Sequence, residues 1–375
     1  MNIAIVGCGF VADYYMTTLQ AYPDLKLVGA FDRERGSLAR FASFHSVPSY
    51  GTMDELLDDA RVEMVLNLTN PRSHFDVSKA CLERGKHVYS EKPLAMELDQ
   101  ARALVELAEE RGLRLSAAPC SLLGETAQTV WKAIRENTVG KVRLVYAEMD
   151  DGLVHRMAYR RWKSASGAPW PAIDEFEVGC TFEHAGYYLT WLPAFFGPAV
   201  RVTAFAACLI PDKGTDAPLA RLAPDFSVAC ITFESGVVAR LTCSIVAPHD
   251  HTLRIVGDDG YLATHDCWFY RSPVHSRRMM TIRRKTLFTP WKTRHPLVGP
   301  VRSRYRYRGS QQMDFARGVV ELADSIRENR ACRLSERYSL HTNELVIAID
   351  HARATAMPYE MTTTFPAIDP MPWAR

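Results

Sequence analysis

Two short segments near the start of the chain carry residues that could act together chemically. One is Gly7-Cys8-Gly9-Phe10-Val11-Ala12, and the other, much further along, is Glu91-Lys92-Pro93. The first is typical of a turn that cradles phosphates. The second places one amine in front of a chain-stiffening proline. In this order, the two segments indicate an enzyme that binds a nicotinamide dinucleotide and holds a lysine beside the reacting carbon.

The glycine-rich segment follows an apolar strand pattern and opens a helical one. Gly7 permits a tight turn, Gly9 lets the backbone approach a pyrophosphate, and Ala12 allows the helix to pack closely on the strand. Phe10 and Val11 begin that helix, whose free N–H groups and positive dipole favour phosphate. Glycines also end strands in proteins that bind no nucleotide, so the turn needs support from elsewhere in the sequence.

Asp32 provides that support. It ends the second predicted strand, about twenty residues after the turn, where a carboxylate would bond the ribose hydroxyls of the cofactor. This position favours NAD, but the neighbouring Arg33 could hold the 2′-phosphate of NADP, which stays open. The alternative is that Asp32 only caps the helix that begins at Glu34.

A further cofactor contact is predicted after the third strand, at Thr69, Asn70 and Pro71. Asn and Pro favour a turn, and ligands of parallel sheets lie at the carboxyl ends of the strands. His74 follows in the same segment. It either contacts the cofactor or packs on the first turn of the next helix.

Strand and helix patterns alternate over residues 1–120, which predicts a doubly wound parallel sheet. With the glycine turn and Asp32, residues 1–120 are expected to form an NAD(P)-binding domain of the Rossmann type. The predicted strands are Ile3–Val6, Leu25–Phe31, Met64–Leu68, His87–Tyr89 and Leu113–Ala117. The predicted helices are Val11–Ala21, Glu34–Phe44, Ser73–Arg84 and Leu98–Arg111.

Residues 121–375 are predicted to form a second, α+β domain with a large, mainly antiparallel open sheet, because strands there follow one another without helices. Its predicted strands are Val142–Met149, Val200–Ala207, Phe226–Phe233, Val237–Ile245 and Thr252–Val256. Its predicted helices are Glu125–Asn137, Phe182–Phe196, Gln312–Glu328 and Ser339–Ala354. Residues 358–375 are expected to form an ordered extended arm, with disorder as the alternative.

Lys92 follows a core strand and should point into the ligand crevice. Partial burial would lower its pKa and suit it to proton transfer near neutrality. Held as a cation, it would instead stabilise a developing alkoxide. The alternative is a surface lysine beside a turn.

The run Gly85-Lys86-His87-Val88-Tyr89-Ser90-Glu91-Lys92-Pro93-Leu94 resembles the Gfo/Idh/MocA oxidoreductases, the glucose-fructose oxidoreductase and inositol dehydrogenase family. The glycine turn, Asp32, and Asn70-Pro71 with His74 fit the same pattern. The resemblance covers essentially the whole chain. It implies an NAD(P) domain followed by an open-sheet domain that carries substrate and often the oligomer interface. It also implies that Glu91, Lys92 and Pro93 lie near the nicotinamide and the reacting hydroxyl.

The second motif of the family, Asp-x-Gly-x-His, matches Glu183-His184-Ala185-Gly186-Tyr187 only in part. The resemblance implies that Glu183 replaces the aspartate and that Tyr187 stands where the catalytic histidine usually lies, as in glucose-fructose oxidoreductase. The four-residue spacing places both side chains on one helix face, and the Lys92 ammonium would lower the pKa of the phenol. His184 is the rival acid or base, and an aromatic core stripe is the alternative for Tyr187.

The segment Ala118-Pro119-Cys120-Ser121-Leu122 lacks the polar substrate anchors that many family members carry here. Arg161 and Trp162, with Arg160 and Lys163 beside them, are therefore candidates to bind substrate together with Lys92 and Tyr187. Arginine suits carboxylate or phosphate, and aromatic faces suit sugar rings. An ordinary surface loop is the equal alternative.

These features predict an oxidoreductase that moves a hydride between nicotinamide and a ring carbon of a sugar, a nucleotide-sugar or a cyclitol. An anionic form of such a substrate is one option. One alternative is an enzyme with tightly bound, recycled NAD that catalyses net epimerisation, elimination or glycoside cleavage. The other is a non-catalytic sensor that binds a dinucleotide. A homodimer or homotetramer is expected.

The composition and the start of the chain argue against a membrane-spanning, a secreted and a metal-binding protein. The formal charge is +2, no run of about 18 apolar residues occurs, and the start of the chain lacks the pattern of a signal peptide, so a cytoplasmic protein without a membrane span is expected. The nine cysteines form no Cys-x-x-Cys pair, and no metal site is predicted.

One stretch is strongly basic, because no acidic residue lies between Asp266 and Asp314. We predict a basic insertion over residues 267–311, interpreted first as a solvated insertion or subunit interface and second as a site for an anionic sugar. Nucleic acid is not expected. Its basic residues are Arg271, Arg277, Arg278, Arg283, Arg284, Lys285, Lys292, Arg294, Arg302, Arg304, Arg306 and Arg308.

Overall fold

The computed structural model describes residues 1–300, 312–355 and 357–375. Its first layer is a five-stranded parallel sheet in the order β2-β1-β3-β4-β5. The strands are β1 (Asn2–Val6), β2 (Lys26–Phe31), β3 (Met64–Asn67), β4 (His87–Ser90) and β5 (Leu115–Ala117). The helices around them are α1 (Phe10–Leu19), α2 (Arg35–His45), α3 (Met53–Asp58), α4 (His74–Glu83) and α5 (Leu98–Glu110). The strand order reverses between β1 and β3, which places a ligand crevice at their carboxyl ends.

The second layer is a ten-stranded sheet in which only β6 and β9 pair in parallel among the described strands. Its strands are β6 (Val142–Asp150), β7 (Ala199–Ala207), β8 (Phe226–Phe233), β9 (Val238–Ser244), β10 (Leu253–Gly257), β11 (Gly260–Thr264), β12 (Val274–Ile282), β13 (Lys285–Phe288), β14 (Thr293–His295) and β15 (Tyr359–Glu360). The predicted fold class, a Rossmann-type parallel sheet followed by a large and mainly antiparallel one, is confirmed.

The helices of the second part are α6 (Glu125–Arg135), α7 (Ala172–Val178), α8 (Gly186–Leu189), α9 (Leu192–Phe196), α10 (Ala316–Arg327) and α11 (Glu336–Thr355). The last two return to the first sheet. Ala316 donates its N–H to Thr18 Oγ1 at 2.9 Å, and the Asn343 amide donates to the carbonyl of Ala95 at 3.0 Å. Across the described residues, no helix combines the length and the apolar character needed to cross a membrane.

The prediction of one continuous helix from Phe182 to Phe196 is wrong. A wider π-helical segment covers Thr181–Ala185, α8 follows it, and α9 starts afresh. The Thr190 hydroxyl donates to backbone carbonyls of the preceding turn, and Pro193 has no N–H with which to continue the ladder. The break lies just after the residues of the second motif.

The basic insertion extends the open sheet rather than forming a separate unit within the described residues. Strands β12, β13 and β14 carry Arg277, Arg278, Lys285 and Arg294, and β12 pairs with both of the others. Strands β11 to β14 were not predicted. The predicted basic residues Arg302, Arg304, Arg306 and Arg308 lie outside the described residues.

The C-terminal arm, residues 358–375, lies against α11 and α6. Glu344 accepts the N–H groups of Thr362 and Thr363 at 2.9 Å each, and Gln128 Oε1 accepts the N–H of Met371 at 2.8 Å. Phe365 is 7% exposed. The arm therefore satisfies buried polar groups of both helices and covers apolar surface.

Ending the chain after residue 357 is expected to lower the free energy of unfolding by about 4 kcal/mol. The loss combines the burial of Phe365 with two polar groups, on Glu344 and Gln128, that are left without partners. The urea midpoint measures this change. Arg375→Ala is the control, because its side chain is exposed, and an unchanged midpoint in the truncated chain would show that the arm contributes nothing.

Candidate active site

A cavity of about 850 Å³ runs from the turn after β1, past the ends of β3 and β4, to the π-helical segment. This volume is at the upper end of the range for small-molecule sites, so it has room for a large cofactor and a substrate. The predicted site residues that line it are Gly9, Phe10, Val11, Thr69, Asn70, Pro71, His74, Glu91, Lys92, Arg161, Trp162, Glu183, His184 and Tyr187.

The glycine turn has the geometry that a phosphate cradle requires. Gly7 adopts φ +98°, and a Cβ there would lie 2.6 Å from the carbonyl carbon of Leu68, so a larger residue does not fit. Gly9 is the N-cap of α1, and a Cβ there would meet no described atom within 4 Å. Ala12 is completely buried against the sheet. Open space thus adjoins the free N–H groups of α1, which fits a pyrophosphate.

Asp32 both shapes the turn and caps the next segment. Its carboxylate accepts the N–H of Cys8 at 2.7 Å and the N–H of Glu34 at 2.8 Å. Arg33 extends into solvent with 77% of its side chain exposed. Arg40, which the sequence did not single out, lines the cavity and donates to the carbonyl of Cys8 at 3.2 Å.

The loop after β3 is held by hydrogen bonds to its own residues, to α7 and to the segment after β4. The Thr69 hydroxyl donates to Asn67 Oδ1 at 2.6 Å, and the Asn70 amide donates to Asp174 Oδ2 at 2.5 Å. The ring nitrogens of His74 lie 2.6 Å from the carbonyl of Pro93 and 2.8 Å from that of Thr69. Burial lowers the pKa of His74. His74 therefore ties the loop after β3 to the segment after β4.

Lys92 lines the cavity and forms an ion pair with Glu183, whose side chain is only 5% exposed. Burial acts to lower the pKa of Lys92, but the carboxylates of Glu183 and Glu175 outweigh it, and the net pKa is raised. The expectation of a lowered lysine pKa is wrong, because it considered burial without the carboxylates that fold against the amine. Glu91 fixes the base of the site by accepting the Tyr15 hydroxyl at 2.7 Å.

Tyr187 and His184 both reach the cavity beside Lys92. The ring of Tyr187 packs edge-on against Trp268 at 5.3 Å. Burial raises the pKa of Tyr187. The Lys92 ammonium lowers this pKa, as predicted, but its effect is smaller than that of burial, so the net pKa is raised. Burial and repulsion by Lys92 place the pKa of His184 well below its ordinary value. Both side chains are therefore neutral at neutral pH.

The loop over residues 153–171 closes one side of the cavity. Ser166 donates its N–H to Asp13 Oδ2 at 2.9 Å, which fastens the loop to α1. Trp162 packs edge-on against Trp170 at 5.0 Å, and Arg161 lines the same wall. The predicted substrate-binding residues of this loop thus lie together with Lys92 and Tyr187.

Besides Arg40, the cavity residues that the sequence did not single out include Asp151, Asp174, Glu175 and Trp268. Burial, and then the nearby Glu183, raise the pKa of Glu175 well above its ordinary value. Burial raises the pKa of Asp151 to about 7. The position of Asp151 directly after the predicted strand that ends near Asp150 could have indicated it as a site residue. Asp174, Glu175 and Trp268 lie in no motif that would have indicated them.

This fold and this cavity define a dinucleotide-dependent oxidoreductase. Residues 1–118 match the model of the oxidoreductase family with an NAD-binding Rossmann fold, and residues 127–263 match the GFO/IDH/MocA C-terminal domain. The chain belongs to the GFO/IDH/MocA oxidoreductase family and is an NAD(P)-dependent enzyme. The predicted family and cofactor class are confirmed.

Known proteins of this kind resemble the chain over most of its length. Trans-1,2-dihydrobenzene-1,2-diol dehydrogenase from Bos taurus is 26% identical over 268 residues, 70% of this chain and 74% of the relative. A putative NADPH-dependent oxidoreductase from Desulfitobacterium hafniense superposes with a TM-score of 0.75 at 20% identity, covering 96% of this chain and 97% of the other. The WlbA dehydrogenase from Bordetella pertussis, in complex with NADH and UDP-GlcNAcA, gives 0.73 at 17% identity, covering 96% and 98%. At these identities the two structures show the shared fold alone.

Proposed function

We propose that the enzyme transfers a hydride between C4 of a bound nicotinamide and a ring carbon of a sugar, a nucleotide-sugar or a cyclitol. One observation carries the proposal: the Lys92 ammonium, paired with Glu183, faces the same cavity as the Gly9 turn. An alkoxide that develops on the substrate would be stabilised by this positive charge, because the Lys92 side chain is only 18% exposed and water screens it little.

The residues of the first layer fit the dinucleotide. The N–H groups at the start of α1 would hold the pyrophosphate beside Gly9, and Asp32 would bond the adenosine ribose. Thr69, Asn70 and Pro71 would border the cofactor on the β3 side, with His74 and Pro93 positioning that loop. The nicotinamide supplies or accepts the hydride.

We give Lys92 the role of a permanent cation that would orient the hydroxyl and stabilise its alkoxide, which its raised pKa supports. Tyr187 carries the proton, because its raised pKa keeps the phenol protonated and able to return a proton to an alkoxide. Glu183 holds the lysine in place. His184 remains the rival for the proton-carrying role.

The substrate class is supported by the cavity walls and by the relatives. Trp162, Trp268 and Tyr187 offer aromatic faces, and Arg161 adds a positive charge that suits an anionic group. The bovine relative is a dehydrogenase of a cyclic diol, and the WlbA structure holds a nucleotide-sugar. These compounds and the proposed substrates are all cyclic molecules that carry neighbouring hydroxyl groups.

A panel of sugars, nucleotide-sugars and cyclitols, assayed with NAD and NADP by the absorbance of the reduced nicotinamide, tests the proposal. At least one compound is expected to reduce the cofactor with saturation kinetics. If the protein instead carries bound NAD and converts substrate with no net absorbance change, the recycled-cofactor alternative replaces it. Dinucleotide binding without any conversion would favour the sensor.

Asp32→Asn is expected to weaken NADH binding and strengthen NADPH binding, so that the ratio of the two dissociation constants changes by about 10-fold. The amide keeps the size of the side chain but removes the charge that binds ribose hydroxyls and repels a 2′-phosphate. Fluorescence titration with each reduced cofactor measures the ratio. Asp24→Asn, outside the cavity, is the control, and an unchanged ratio in Asp32→Asn would remove Asp32 from the ribose site.

A further inference from the structure

Three side chains that can bind a metal converge beside the part of the cavity lined by Asp151, His184 and Trp268, and none of the three is used in the proposed hydride transfer. Asp151 follows β6, while His249 and His251 lie between β9 and β10. Backbone hydrogen bonds of 3.0 and 2.9 Å join Asp150 to Asp250 and align the two segments side by side. Because His249 and His251 flank Asp250, they share the face opposite to it, next to Asp151.

The spacing of the ligand atoms suits an ion better than direct hydrogen bonds. His251 Nε2 lies 3.6 Å from Asp151 Oδ1, and His249 Nδ1 lies 3.9 Å from the same oxygen. Hydrogen bonds between such groups are shorter, about 2.7–3.2 Å. Ligand atoms that surround Zn²⁺ tetrahedrally, with bonds of about 2.0–2.2 Å, lie about 3.3–3.6 Å apart. A small closure of the two histidines onto an ion would reach that geometry.

The buried ring of His251 also favours a bound ion. Its side chain is completely buried, and neither ring nitrogen has a hydrogen-bond partner among the described residues. A buried imidazole without partners costs about 1–3 kcal/mol, which a bound ion at Nε2 would offset. His251 Nε2 therefore faces Asp151 and has a free lone pair with which it could bind an ion.

The surroundings of His251 match the outer shell of a metal site. Its other nitrogen, Nδ1, lies 3.5 Å from Asp266 Oδ1, just beyond hydrogen-bond distance, so a small movement of the ring would form that bond. Asp266 Oδ1 also accepts the N–H of Trp268 at 2.7 Å. A carboxylate that receives the second N–H of a ligating histidine is a recurrent feature of such sites, since it fixes the tautomer and the ring orientation.

We propose that Asp151, His249 and His251 bind one first-row divalent cation, with Zn²⁺ preferred, through three protein ligands and one open position that faces the cavity. Asp151 itself lines the cavity. His184 borders the open position, because its unpaired Nδ1 lies 3.6 Å from Asp151 Oδ2. An oxygen of the substrate would occupy that position, so the ion selects substrates with a second oxygen beside the reacting hydroxyl. The absence of a predicted metal site rested on cysteine spacing, and this cluster contains no cysteine ligand.

The test uses the full-length chain without an affinity tag, freed of metal with a chelator and then titrated calorimetrically with Zn²⁺ alone. One ion per chain is expected to bind, and Co²⁺ in its place is expected to give the visible absorption of a low-coordinate site. His251→Gln and His249→Gln are expected to weaken Zn²⁺ binding by at least 100-fold, and Asp266→Asn by about 10–100-fold. His265→Gln, an exposed histidine next to Asp266, is the matched control and should bind as the unmodified protein does.

No Zn²⁺ binding at micromolar concentration, or binding that His249→Gln and His251→Gln leave unchanged, would overturn the proposal. NADH binding serves as the check of folding for every variant. If His251→Gln loses NADH binding as well, His249→Gln carries the test, because its side chain is 55% exposed and its loss leaves the core intact. Metal binding is measured without substrate, so its failure is distinct from a failure of the proposed hydride transfer.

Discussion

Lys92→Met is expected to lower kcat/KM by about 10³-fold or more while NAD(P)H still binds and the protein remains folded. Methionine fills the same space but removes the positive charge proposed to stabilise the substrate alkoxide. Dinucleotide binding should persist, because the residues proposed to hold the cofactor, the glycine turn and Asp32, are separate from Lys92 and are unchanged in the variant. Steady-state kinetics on the best substrate of the panel, together with NADH titration, measures both quantities.

Two comparisons make this result specific. Lys79→Met removes a half-exposed lysine that pairs with Glu83 on α4, and its kinetics should not change. Lys92→Arg keeps the charge and should recover part of the activity. Turnover in Lys92→Met equal to that of the unmodified enzyme would contradict the role of the lysine.

Tyr187→Phe is expected to lower kcat by about 10²–10³-fold with little effect on KM. The substitution removes only the hydroxyl, and the ring keeps its contact with Trp268. The loss should fall on the proton-transfer step, so the solvent isotope effect on kcat should rise in the variant. Rapid kinetics in H₂O and D₂O measures it.

His184→Gln is the discriminating partner of this experiment. If Tyr187 carries the proton, His184→Gln should retain more activity than Tyr187→Phe. The reverse order, with full activity in Tyr187→Phe, would assign the proton to His184. Tyr146→Phe, on an exposed face of β6, is the control for a lost hydroxyl.

The cofactor half of the molecule was predictable because its residues follow local rules. Gly7 and Gly9 lie directly after β1, Asp32 directly after β2, and Thr69 after β3. Parallel strands bring their carboxyl ends to one edge of the sheet, so adjacency in sequence to a strand end translates into adjacency in space. The position of Lys92 after β4 follows from the same rule.

The electrostatics of the site were not predictable in this way. The pKa of Lys92 depends on Glu183 and Glu175, which lie on segments that meet the amine only in the folded chain. The pairing of Asp151 with His251 likewise joins two loops of the open sheet. Charge and burial interact at such sites, and neither has a periodic pattern in the sequence.

The helix predicted to carry Glu183 and Tyr187 was wrong for a different reason. Its apolar pattern predicts one helix to Phe196, but the π-helical segment and Pro193 divide it. Periodicity detects which residues face the core and does not detect a single inserted residue or a missing N–H. The two site residues still reach Lys92, so the prediction of their proximity survives the error in the helix.

The proposed hydride transfer is tested most directly by measuring whether deuterium moves from the substrate to the nicotinamide. The best substrate of the panel, labelled with deuterium on the ring carbon that is oxidised, is incubated with the enzyme and NAD(P)⁺, and the nicotinamide is analysed by mass spectrometry. Direct hydride transfer predicts one deuterium at C4 of the reduced cofactor with the unmodified enzyme and none above background with Lys92→Met. Converted substrate with no deuterium on the nicotinamide would contradict hydride transfer in this cavity.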